Sequence, residues 1–184
     1  MSYYILRQDL DIPGQPSVLR CPDDLDPLEL LDGKLVTPLP QPLRLWLSPD
    51  SGKFRGCIIG GLLTLFHQVF RDELTRLGID NIQYFPVELQ NPEGQIEYKY
   101  SLINVLGLIE AVNEKGSVIK PRAMGGRGEL HSFKIDPARV RGQRLFRVVA
   151  APTLIVIDET LYQSLLAFNG PGILMYRTED HPGY

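Results

Sequence analysis

The stretch from Leu62 to Val105 constrains this chain most. Leu62, Phe66, Val69, Phe70, Leu74 and Leu77 recur at three- and four-residue spacings and stop at Gly78. That period places them on one face of a helix, and a glycine just past the end tolerates positive φ. Asn81–Leu89 follows as a strand, with Tyr84 and Phe85 giving bulk to both faces. Asn91-Pro92-Glu93-Gly94 is a four-residue turn, and Glu97–Val105 returns antiparallel. A helix packed on a hairpin can seed a core. It predicts an α+β fold, with mostly antiparallel sheet, two main packed helices and a proline-rich N-terminal arm.

The arm is defined by Pro13, Pro16, Pro22, Pro27, Pro38, Pro40 and Pro42. Each removes a backbone donor and pushes its predecessor towards extended geometry, so a long helix or central strand is excluded there. Tyr3–Arg7 precedes it as a first strand, and Val18–Cys21 and Lys34–Thr37 read as short edge strands. Leu43–Leu47 carries the only tryptophan, Trp46, expected to plug the core where arm meets body.

Beyond the hairpin, Leu106–Val112 is apolar and fits a short helix better than a strand extension. Gly116–Gly128 reads as a loop. Leu130–Ile135, Arg144–Val149 and Leu154–Ile157 read as strands. Asp158 is placed to cap a helix running to Phe168, with Leu161, Leu165 and Phe168 on its buried side. Asn169-Gly170-Pro171 stops it, Ile173–Arg177 is a last strand, and Thr178–Tyr184 is a polar tail expected to fray. One domain over residues 1–184 is expected. Its parts are strand plus arm (1–47), a first helix–hairpin half (48–112) and a second helix–strand half (113–184).

The halves echo each other. A shift of 91 residues lays Phe70 on Leu161, Leu74 on Leu165, Leu77 on Phe168, Ile82 on Ile173 and Phe85 on Tyr176. Any helix–strand corner gives such a pattern. A pseudo-repeat of one helix–strand unit gives it too.

Net charge is −3, which provides no global attraction to nucleic acid or an anionic membrane. Its distribution is uneven. Asp9, Asp11, Asp23, Asp24, Asp26, Glu29 and Asp32 face only Arg20 between positions 9 and 32. Nine bases crowd positions 115 to 147 against Glu129 and Asp136. Two solvated faces that balance each other are one reading. An acidic patch for a basic partner is another, and a basic segment for anionic ligands a third.

Catalytic signals are weak. His67, His131 and His181 fall on a helix face, in a strand and in the tail, and no GxSxG is present. His67 reads as a solvated polar-face residue. Cys21 and Cys57 lie 36 apart with no histidine at ligand spacing, so a zinc site is not expected; a disulfide stays open, with two reduced thiols the simpler reading. Gly125-Gly126-Arg127-Gly128 lacks the lysine–hydroxyl pair of a phosphate loop. The run Cys57–Phe66 is too short to span a bilayer, and MSYYILRQDL lacks the features of a signal peptide.

NIQYFPVEL from Asn81, a turn, and YSLINVLGLIEAV from Tyr100 resemble the MXAN-type immunity protein domain family of bacterial polymorphic toxin systems. The matching positions are Gln83, Tyr84, Pro86 and Val87, then Leu102, Asn104 and Val105. The later LFRVVAAPTLIVIDETLYQSLLAF and GILMY fit the family's closing pattern through Phe146, Arg147, Pro152 and Ile173. The resemblance covers about Phe66 to Tyr176.

It implies a small cytoplasmic antitoxin that binds and blocks a cognate toxin, with no catalysis, cofactor or metal. Nuclease-type toxins are one class that fits. Such an inhibitor needs a preformed complementary patch rather than a reactive group. Asp23, Asp24, Asp26, Glu29 and Asp32 are the candidate partner-binding residues, because a nuclease groove is basic. No membrane association and no stable nucleic-acid binding are expected. The alternative is a nucleic-acid or anionic-ligand module using Arg122, Arg127, Arg139, Arg141 and Arg144 within segment 115–147.

Overall fold

A computed structural model describes residues 1–37, 39, 41–120 and 129–183, with Glu129 by its backbone alone. The first half contains β1 (Tyr3–Gln8), β2 (Val18–Arg20), β3 (Leu43–Leu47), β4 (Ile58–Ile59), β5 (Leu65–His67), α1 (Gln68–Arg76), β6 (Ile82–Gln90), β7 (Ile96–Glu97) and β8 (Tyr100–Val105). Short pieces follow: β9 (Leu108–Ile109), β10 (Val112–Asn113), β11 (Val118–Lys120), β12 (Glu129–His131), β13 (Lys134–Ile135) and α2 (Pro137–Val140). The chain closes with β14 (Leu145–Val148), β15 (Ala151–Asp158), α3 (Glu159–Phe168) and β16 (Ile173–Arg177). This is an α+β fold.

Two sheets carry it. One runs β16-β1-β15-β14-β9, and the other β2-β3-β6-β8-β5-β4 with β7 beside β6. Most neighbours are antiparallel; β3 lies parallel to β6, and β9 to β14. Each sheet contains a strand–helix–strand unit that straddles a third strand. β5 and β6 flank β8, and β15 and β16 flank β1.

Alternation along the strands builds three cores. Tyr4 and Leu6 of β1, Ile155 and Ile157 of β15, and Ile103 and Val105 of β8 face the first. Both helices enter it through Phe70, Leu74, Leu161 and Leu165. Each such side chain contributes about 1.5–3 kcal/mol when withdrawn from water. Tyr3, Ile5, Leu154 and Val156 point the other way, into a core shared with Leu130, Phe133 and Ile135. Leu43, Leu45, Leu47, Phe85, Val87 and Leu102 form the third, on the outer face of the second sheet, where Leu25 and Leu30 cover it.

Several expectations are corrected. α1 begins at Gln68, not Leu62. Leu65 enters the third core and Phe66 the first, and consecutive residues in opposite layers mark a strand. Leu62 and Val69, expected on the buried face, are exposed. Leu106–Val112 forms no helix: Gly107 takes a φ of 142°, and Leu108 pairs in parallel with Arg147. Leu130–Ile135 is split at Ser132, whose φ of 20° turns the chain between two ribbons. Val118–Lys120, expected in a loop, pairs with Glu129–His131.

Lys34–Thr37 forms no strand. Trp46 is half-buried outside the cores, because Leu43, Leu45 and Leu47 take the inward face of β3; the Arg20 guanidinium lies 5.2 Å from its ring. The tail is folded in. Thr178 and His181 are buried, and their carbonyls accept from Phe133 and Ser132 N–H at 3.0 and 2.8 Å.

Candidate partner-binding surface

The acidic stretch lies over the second sheet and is tied down by leucines rather than by its charges. Leu25, Leu30 and Leu31 are buried. Around them Asp23, Asp24, Asp26, Glu29 and Asp32 are all exposed. Local turns set the spacing: Asp26 Oδ1 accepts from Leu28 N–H at 2.9 Å, and a 3-10 turn spans Glu29–Leu31. Among the described residues none of the five carboxylates forms an ion pair, while other acids do, such as Glu88 with Arg44 at 2.6 Å. Fold and charge are thus separated. The leucines hold the segment, and the carboxylates face water.

The stretch is anchored at its far end by two side chains from the hairpin. Gln83 and Asn104 are cross-strand partners in β6 and β8. Asn104 is fully buried, and its Nδ2 donates to the Lys34 carbonyl and to Gln83 Oε1, each at 2.7 Å. Gln83 Oε1 also accepts from Val36 N–H at 2.9 Å, and its Nε2 donates to the Val36 carbonyl at 3.1 Å. Both residues stand in the family motif, which carries no sign of this task. The available signal was a pair of polar residues on the hairpin face that otherwise carries Phe85, Val87 and Leu102.

The basic segment is differently disposed. Arg144 Nη1 donates to the Leu77 carbonyl at the end of α1 at 2.9 Å, and its Nε lies 3.7 Å from Asp158 Oδ2. It joins two helices inside the fold. Arg139 pairs with Asp136 at 3.4 Å and donates to the Glu110 carbonyl. Arg141 is exposed with a left-handed backbone. Arg122, Arg127 and the Gly125–Gly128 cluster lie outside the described residues.

The histidines have structural partners. His67 is not a helix-face residue but the cap of α1, its Nδ1 accepting from Val69 N–H at 3.2 Å. His181 lies edge-on to Phe133 and 3.2 Å from the Tyr176 hydroxyl. His131 pairs with Val118 across a ribbon. Cys21 and Cys57 are both free thiols. Two residues of the later motif meet: Arg147, buried, donates from Nη1 to the Pro152 carbonyl at 2.7 Å.

The model of the immunity protein family Imm11 matches residues 12–180. The chain belongs to this family. The match begins inside the proline-rich segment, so the Imm11 pattern takes in the acidic stretch as well as the helix–hairpin unit. No curated protein matches the chain. Among its described residues, this Imm11 protein has no helix long and apolar enough to cross a membrane.

Proposed function

We propose that this chain is an antitoxin that neutralises a cognate toxin by direct contact, and that the contact is made by Asp23, Asp24, Asp26, Glu29 and Asp32. What supports the reading, beside family membership, is that these five carboxylates are exposed and, among the described residues, form no ion pair. A basic toxin surface, as on a nuclease that must hold phosphate backbone, would be steered to such a patch and held in register by it. The chain transforms nothing itself and acts in the cytoplasm, where the toxin would arrive.

Co-expression with the C-terminal domain encoded by the neighbouring gene tests the reading. Survival of the cells and co-purification of the two proteins are expected. Cell death with no complex would contradict it.

A further inference from the structure

We infer that Leu35 is an apolar anchor of the partner-binding surface, and that Gln83 and Asn104 are positioning residues that hold it outward. The inference rests on the proposed antitoxin reading and extends it to a partner surface with an apolar socket beside basic residues.

The geometry begins in the backbone. Asn104 holds the Lys34 carbonyl, and Gln83 holds both the N–H and the carbonyl of Val36. The residue between them is Leu35. With its neighbours fastened to the sheet, its side chain faces solvent and is 74% exposed. A singly exposed leucine is ordinary on a protein surface. One whose flanking backbone is gripped on both sides by side chains from a buried hairpin is different, because its position is set before any partner arrives. The segment is gripped just before it too: the Gly33 carbonyl accepts from Gly107 N–H at 3.1 Å.

The grip is polar where apolar packing would be simpler. Asn104 is wholly inaccessible, and among the described residues its Oδ1 has no hydrogen-bond partner. An orphaned buried acceptor is a cost, and a leucine-sized apolar residue would avoid it. What asparagine supplies there is the bond to Lys34 and to Gln83. Charge completes the match. Leu35 closes a run of five exposed acids, against Lys34 alone. An apolar residue that follows a run of exposed acids in the chain suits a partner whose apolar socket has basic residues beside it.

The test uses the whole chain and the neighbouring gene's toxin domain as probe. Leu35→Ser removes only an exposed side chain, so thermal unfolding is expected to stay as in the parent while Kd rises about tenfold. Asn104→Leu with Gln83→Met is expected to raise amide exchange over residues 33–37, to leave β8 protected, and to weaken binding to a similar degree. Combined with Leu35→Ser, the pair should add little, since both act on one contact. Unchanged affinity in Leu35→Ser overturns the anchor. Unchanged exchange over 33–37 in the double variant overturns the positioning role. Charge reversal of Asp23, Asp24 and Asp26 reads the parent hypothesis separately: if it leaves Kd unchanged while Leu35→Ser raises it, the acidic patch fails and the anchor stands.

Discussion

Asp158 faces Arg144 where β15 turns into α3. One carboxylate oxygen accepts from Leu161 N–H at 2.7 Å, and the other lies 3.7 Å from the guanidinium that also holds the end of α1. A single buried side chain therefore caps one helix and is linked to the other. Asp158→Ala removes the cap and orphans the Leu161 N–H, and is expected to lower unfolding free energy by about 2 kcal/mol. Asp158→Asn keeps an acceptor and should cost less than about 1 kcal/mol. Equal losses in denaturant titrations of the two variants would contradict the cap.

His67 gives the fold a pH dependence. Burial holds its pKa below the ordinary value, aided by Lys99 and opposed by Glu97. Below about pH 6.5 the unfolded chain takes up a proton that the folded chain resists. The stability is complete above that pH and declines as pH falls towards the lowered folded pKa. His67→Asn keeps a capping acceptor without titrating. As pH falls below about 6.5 the parent should lose more unfolding free energy than the variant. Parallel curves would show that His67 does not contribute.

The thiols should separate by reactivity. Cys57 is 3% exposed, and burial pushes its pKa up to about 11, whereas Cys21 is partly accessible. The thiolate is the reacting form. A thiol reagent at about pH 8 should label Cys21 in the native chain and Cys57 only after unfolding. Native labelling of both would contradict the packing around Cys57.

Two glycines with similar backbones should respond differently to alanine. Gly33 has φ 68°, and a Cβ there would stand 2.5 Å from Leu108 N. Gly78 has φ 78° with nothing within 4 Å. Gly78→Ala carries only left-handed strain, about 1–2 kcal/mol. Gly33→Ala must also displace backbone, so it should cost more than Gly78→Ala in the same unfolding assay. The reverse order would contradict the close approach of Gly33 to β9.

The parts of this fold that local chemistry specifies were legible in the sequence. Gly78, the Asp158 cap and the Asn91–Gly94 turn are each set by neighbours in the chain, and all three stand as expected. The misread parts depend on distant partners. Leu65–His67 is a strand because β4 and β8 lie on either side, and Leu108 is extended because Arg147 pairs with it. The acidic residues of the candidate surface were visible as a charge run. Leu35 was not, because its setting depends on the register that brings Gln83 opposite Asn104. Arg144 looked like a surface base, and its bond to Leu77 spans 67 positions.

The central claim is that an acidic surface, held by leucines and without ion pairs among the described residues, contacts the toxin. Asp23→Lys, Asp24→Lys and Asp26→Lys together test it most directly, in cells that carry the toxin domain. With unfolding of the purified variant unchanged, loss of protection and of toxin binding is the predicted result. Full protection by the charge-reversed chain would contradict the account.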